Sequence, residues 1–202
     1  QDGAQDVPQG HYDRALLNLE EGQIALLQQD FERASLAFER AGNLFHALAP
    51  ESSAALDALA LWIEAARGLE DHRAITRKLL AQGPKLVNHL RGFAATHRGK
   101  IAWYAADSLK RERAIRAALP FFQLALAAYQ ELGDRASSAE LQWELAQLLP
   151  EGPPGERQKL AQAALDYYRT NRNRSMTKTI SRWLKNHAHT RTLSPRSAER
   201  KP

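Results

Sequence analysis

The sequence predicts an all-α fold built as an array of antiparallel helix pairs, and three observations lead there. Composition is the first. Ala, Leu, Arg, Glu and Gln dominate the 202 residues, and all are good helix formers, while isoleucine and valine are scarce. Apolar residues, second, recur at helical spacing between frequent and well-marked breaks. The third observation is internal repetition. Ala34, Phe38, Ala41, Phe45 and Leu48 superpose on Ala118, Phe122, Ala125, Tyr129 and Leu132 with identical spacing of 4, 3, 4 and 3. These positions share one helical face, so both helices must meet the same kind of neighbour. The tryptophans agree: Trp62, Trp103, Trp143 and Trp183 lie 41, 40 and 40 residues apart, and the first three are followed three residues later by Ala65, Ala106 and Ala146. A large ring with a small residue one turn along makes a knob and a slot for a neighbouring helix. A period near 40 residues means one helix pair per unit.

The elements follow in order. Leu16, Leu19, Gln23 and Leu26 or Leu27 mark a helix over 11–29, behind a polar lead-in of residues 1–10. Asp30 can cap the next helix, 31–48, which Pro50 ends. Ser52 or Ser53 opens 52–69, and Gly68 and Asp71 mark the corner into 71–97, where Gly83-Pro84 predicts a break or bend. Gly99 signals the start of 99–112, paired with 114–132. Gly133-Asp134-Arg135 reads as a corner rather than a functional loop. Glycine tolerates the left-handed conformation that closes a helix, and Asp134 can accept from the free amides opening the next. The last pair is 135–149 with 155–171, joined by the tight connection EGPPG, and an amphipathic helix over 175–188 carries Trp183 and closes the stack. The repeat domain is thus 11–188, and 189–202 is expected to be a basic, disordered tail with little to bury.

Gly22, Ala34, Phe38 and Ala41, spaced by 12, 4 and 3, resemble the tetratricopeptide repeat, which has a small residue on its first helix and A-x-x-x-F-x-x-A on its second. Ala118, Phe122 and Ala125 repeat the second-helix half; Ala161, Leu165 and Tyr168 are a degenerate echo. YQELGDRASSAELQWELAQLL is similar to the longer-period variety of the repeat. The resemblance covers residues 11–171, is strong in the first and third units and weak in the second, where Lys78 stands in the aromatic position between Ala74 and Ala81. HEAT-like helix pairs are the structural alternative. The resemblance implies a right-handed superhelix, an α-solenoid of about four helix pairs with a C-terminal capping helix. Its concave face would be lined by the first helix of each pair.

Several function classes lack their residues. Cysteine is absent, which removes disulfides, thiolate catalysis and cysteine-type zinc sites. No run of 18 apolar residues is present, so no transmembrane helix is expected. None of the seven histidines forms H-E-x-x-H, and no phosphate-binding G-x-x-x-x-G-K-[ST] or nucleophile elbow occurs. Glu20-Glu21 and Glu70-Asp71 fall at predicted helix surfaces or ends, where solvated carboxylates are the default. His187 and His189 read as helix-end residues, and Asn173-Arg174-Ser175 as a chance sequon. The expectation is a non-enzymatic protein without cofactor or metal.

Two surfaces are candidates for partners. By register with the resembled family, Leu19, Gln23, Leu26, Ile63, Arg67, Trp103, Asp107, Arg111, Trp143 and Gln147 would line the groove. Aromatic and arginine anchors among polar groups suit a peptide or protein partner, and the implied role is adaptor or assembly factor. The alternative surface is the basic end. Residues 172–202 hold nine Lys or Arg against a single acid, Glu199, so the net charge of +5 sits on a mildly acidic body with a basic end. Arg172, Arg174, Lys178, Arg182 and Lys185 straddle the last helix and could hold nucleic acid or another anionic surface. A second basic cluster, Lys110, Arg111, Arg113 and Arg116, reads as a solvated corner. A third reading is the sensor or oligomerisation part of a larger regulator. Gln1 fits a mature N-terminus left by export, and equally a fragment of a longer chain.

Overall fold

The computed structural model describes residues 9–49, 52–150 and 155–188. Among them are nine α-helices and no strand: α1 (Gln9–Leu27), α2 (Phe31–Leu48), α3 (Ser53–Gly68), α4 (His72–Leu90), α5 (Ala95–Arg111), α6 (Ile115–Glu131), α7 (Arg135–Leu148), α8 (Glu156–Thr170) and α9 (Arg174–Ala188). No helix among the described residues is long and apolar enough to cross a membrane. The expected tail 189–202, most of the lead-in and most of EGPPG lie outside the described residues, while α1 begins within the lead-in, at Gln9.

The corners repeat one device. Gln29, Glu70, Arg113 and Arg172 all adopt the left-handed conformation, with φ of 60°, 58°, 62° and 56°. The amide of the residue after each donates to a carbonyl five residues back: Asp30 to Ala25, Asp71 to Ala66, Ala114 to Leu109, Asn173 to Tyr168. This is the Schellman closure, which satisfies carbonyls that the helix end leaves bare. Three of those residues then cap the following helix. Asp30 accepts from the Arg33 amide at 3.1 Å, Asp71 from Ala74 at 3.0 Å and Asn173 from Met176 at 3.1 Å. Gly133, with φ of 69°, has the same conformation, and Asp134 caps α7 by accepting from the Ala136 and Ser137 amides.

Of the expected break or bend at Gly83-Pro84, the break does not occur. α4 continues through it to Leu90, and Gly99 lies buried inside α5 rather than at its start. Proline costs α4 one hydrogen bond, but its ring is on the exposed side, and Gly83 is buried facing Phe121. The true boundary is at 91–94, where Arg98 of α5 donates to the carbonyls of Phe93 and Arg91 at 3.1 and 3.3 Å.

Contacts divide the chain into two units, Gln1–Leu132 and Gly133–Pro202. In the first, each helix packs on the next from α1 to α6, and α1 also meets α3, α3 meets α5, and α4 meets α6. Among alternate helices, then, α1 lies beside α3, α3 beside α5 and α4 beside α6. Four of the five repeated positions are buried in α2, and three in α6. The α1–α2 pair interlocks at Gly22: a Cβ there would lie 2.5 Å from the Phe38 ring. In the second pair, Trp62 occupies the position of Gly22 and Lys78 that of Phe38. The bulky partner has changed helix, and the Lys78 ammonium sits 4.0 Å from the centre of the Trp62 ring while donating to Glu39 at 2.8 Å. In the second unit, α8 packs against α7 and α9. Trp143, Ala146, Ala161, Ala164, Leu165 and Ile180 form its core.

Candidate partner-binding surfaces

α1, α3 and α5 frame a cleft of about 520 Å³ in the first unit. Leu26 and Gln29 close the α1 side, Glu64, Arg67 and Gly68 come from α3, Lys100 and Tyr104 from α5, and Phe31 covers one end. Gly68 is needed there, because a Cβ would lie 2.5 Å from the Phe31 ring. The cleft is polar and its charges are organised. The Lys100 ammonium donates to Glu64, and Arg67 pairs with Asp107 at 3.5 Å. Arg111 donates to the same Asp107 oxygen at 2.9 Å. The Arg67 guanidinium and the Lys100 ammonium lie 5.8 and 6.0 Å from the centre of the Tyr104 ring. Arg67 Nε is buried without a hydrogen-bond partner among the described residues. Beneath this network His72 Nδ1 lies 3.1 Å from Ser108 Oγ. Burial, followed by the cations of Arg111 and Arg67, lowers the His72 pKa below the ordinary histidine value, with Asp107 and Glu70 opposing.

Leu26 and Arg67 of the expected groove do line this cleft, and Asp107 and Arg111 adjoin it through their ion pairs. The others lie elsewhere. Ile63 is 0% exposed and belongs to the core, so it offers no surface to a partner. Trp103 is half-buried edge-to-face with Tyr129, ring centres 5.6 Å apart. Leu19 packs on the Ala15, Ala41, Phe45 and Ala58 cluster, and Gln23 is exposed on α1. Trp143 and Gln147 lie in the second unit. Trp143 is buried edge-to-face against Trp183 at 5.7 Å, and exposed Gln147 donates to the Trp143 carbonyl at 3.2 Å. Sequence reasoning missed Glu64, Lys100 and Tyr104. Glu64 and Tyr104 each follow an expected residue, Ile63 and Trp103, by one position, a rotation of about 100° around the helix. The usable signal was the polarity of Glu64 within an apolar run, and that of Lys100 at the edge of another.

The basic end is organised by α9. Ile180 is fully buried, Met176, Trp183 and Leu184 pack around it, and the Trp183 ring is stacked on His187 with centres 4.0 Å apart. Arg174, Lys178, Arg182 and Lys185 are exposed on the opposite side, within an arc of about 80° at 100° per residue. Arg172 is exposed at the preceding corner. None of these five side chains has an ion-pair or hydrogen-bond partner among the described residues. The second basic cluster does not act as one patch: Arg111 is held by Asp107, while exposed Arg116 lines a different cleft, against α4.

No group of three or more His, Asp or Glu side chains among the described residues could hold a metal ion. His187 Nδ1 lies 2.8 Å from the Trp183 carbonyl, and His189 lies outside the described residues. Compared with known proteins, the chain matches no family model, no curated protein and no solved structure.

Proposed function

We propose that the chain is a non-catalytic, tetratricopeptide-like interaction module, a right-handed array of helix pairs that takes a peptide or protein in the cleft between its first helices. One observation carries this reading. Residues of α1, α3 and α5, far apart in sequence, converge on a single cleft whose polar groups flank an aromatic ring. The Gly22–Phe38 interlock and the side-by-side first helices support the repeat architecture. Peptide recognition needs such a surface: an aromatic anchor for area, and fixed charges for register. The test is capture from native extract with three forms of the full chain. These are the unchanged protein, a Tyr104→Ala, Lys100→Glu variant, and a variant with Arg174, Lys178, Arg182 and Lys185 all changed to Gln. A partner retained by the last and lost by the cleft variant is expected. Retention by the cleft variant at high salt overturns the reading.

The unpaired cations of α9 favour a second reading, in which the basic end holds an anionic partner such as nucleic acid. Because the apolar side of α9 is committed to the core, only its cationic face is free. That face would bind through phosphate contacts and therefore with a strong salt dependence.

A further inference from the structure

One cation of the α1–α3–α5 cleft lacks the partner its chemistry asks for. A guanidinium carries five N–H donors. That of Arg67 makes no hydrogen bond among the described residues, and its Nε is buried without an acceptor. Its ion pair with Asp107 is long, 3.5 Å, where charged N–H···O contacts run at about 2.7–2.9 Å. Competition is the cause, because Arg111 donates to the same Asp107 oxygen at 2.9 Å. A buried donor left without an acceptor is costly and marks a missing partner.

The surroundings of Arg67 define that partner. Lys100 spends one of its three N–H groups on Glu64, and the Tyr104 hydroxyl makes no hydrogen bond among the described residues. Charge is unbalanced by one: the cations Arg67, Lys100 and Arg111 face the carboxylates Glu64 and Asp107. The balance stays positive with Glu70 included. After burial, the cations of Arg111 and Arg67 lower the His72 pKa by more than Asp107 and Glu70 raise it. A carboxylate, carrying one negative charge, closes this balance. A phosphate group, at about −1.5 to −2, would overshoot it beside two carboxylates. Depth narrows the choice further. The Arg67 side chain is 28% exposed and that of Lys100 42%, so the guanidinium lies deeper in the cleft. An acid on an arm of methylenes reaches it, whereas a carboxylate fixed to the end of a main chain has no such arm.

We infer that the cleft is a carboxylate site for an acidic side chain of the docked peptide, glutamate above all, with Arg67 as its bidentate partner and Lys100 and Tyr104 beside it. The inference deepens the cleft reading of the proposed function and rests on it. The incoming carboxylate supplies the acceptor that Asp107 gives to Arg111, and that ion pair stays in place.

Nuclear magnetic resonance on the isotopically labelled full chain tests it, because the Arg67 Nε–H gives its own signal, identified by its loss in Arg67→Lys. The probes are N-acetylglutamate α-amide, the neutral N-acetylglutamine α-amide, N-acetylglutamine with a free terminal carboxylate, and inorganic phosphate, all at one ionic strength. The expected result is a saturable shift of the Arg67 signal with the glutamate probe, half complete at roughly 1–10 mM for a ligand of this size. Binding should be at least about fivefold weaker for the terminal carboxylate and for phosphate, and absent for the neutral amide. Arg67→Gln, with the helical circular dichroism unchanged, should abolish the accompanying shift of the Tyr104 ring protons. If Arg67→Gln does not fold, the unchanged protein still decides, since Arg67 is read directly. No saturable shift at Arg67 by about 50 mM, equal shifts with every anion, or tighter binding of phosphate or of the terminal carboxylate overturns the inference. So does a Tyr104 shift that survives Arg67→Gln. The capture experiment fails separately: a partner retained by the Tyr104→Ala, Lys100→Glu variant moves the interface elsewhere and leaves the Arg67 titration of the unchanged protein as it was.

Discussion

A residue in the left-handed conformation costs a non-glycine side chain about 1–2 kcal/mol, and four corners of this chain accept that cost. The reward is topological: one residue at positive φ closes a helix by two hydrogen bonds and delivers the next position as a cap. Gly133 adopts the same conformation with no side chain to strain, and Asp134 caps the next helix as Asp30 and Asp71 do. Arg113 is exposed and makes no side-chain interaction among the described residues, so Arg113→Gly should raise stability by up to about 1 kcal/mol in urea denaturation. Gly133→Ala should lower it by about the same amount. Asp134 carries the cap. The Ser137 hydroxyl, 2.7 Å away, and then the Ser137 and Ala136 amides hold its carboxyl below the usual carboxylate range, against the opposing effect of burial. Asp134→Ala should cost about 1 kcal/mol at neutral pH. Because the folded pKa is lowered, the advantage is fully present above the unfolded value near pH 4 and is lost as pH falls through the folded one. The gap between the two proteins should therefore close in acid, read from denaturation midpoints at pH 7 and below 3.5.

At the scale of elements, the helices were legible because burial imposes a 3.6-residue rhythm on apolar positions, and because Asp and Ser stop signals sit where amides need acceptors. The exception has a physical cause. Gly83-Pro84 looks like punctuation, but a proline on the solvent side removes one bond without disturbing the buried face, whereas the real end at 91–94 depends on Arg98 reaching back from the next helix. A second-helix lysine in place of an aromatic was equally opaque, since its explanation is Trp62 on the other helix. The same pairing logic makes two glycines of the first pair behave oppositely. At Gly22 a Cβ would lie 2.5 Å from the Phe38 ring, so Gly22→Ala should destabilise, by about 1–3 kcal/mol of overpacking less the propensity gain. At Gly42 the nearest atom would be the Ala58 Cβ at 3.7 Å, an ordinary contact, so Gly42→Ala should stabilise by about 0.5–1 kcal/mol. Thermal unfolding of the two variants side by side checks the signs. Adding Phe38→Leu should soften the Gly22→Ala loss, a coupling that separate sites would not show.

For the whole molecule, the all-α class follows from what the sequence lacks as much as from what it has: few β-branched residues, no cysteine and polar corners about every 20 positions. The surfaces were less legible than the class. Which side of α3 or α5 meets solvent depends on neighbours supplied from elsewhere in the chain, so Ile63 and Glu64 exchange roles on a single step of rotation. Charge, in contrast, can be read directly, because lysine and arginine stay exposed unless paired. The excess of base after residue 171 is carried on the described part by Arg172 and the α9 stripe, anchored by Ile180. This gives the reading of an anionic partner a quantitative test. If the four cations of α9 each neutralise one phosphate of duplex DNA, log K against log salt should have a slope of about −3.6, at about −0.9 per contact. Anisotropy of a short labelled duplex, titrated at several salt concentrations, measures it. Changing Arg182 to Gln should remove about one contact and make the slope shallower by about 0.9, whatever the duplex sequence, because phosphate contacts carry no base information. A slope near zero, or one that Arg182→Gln leaves unchanged, would mean that the α9 stripe is a solvated face and that recognition belongs to the cleft between the first helices.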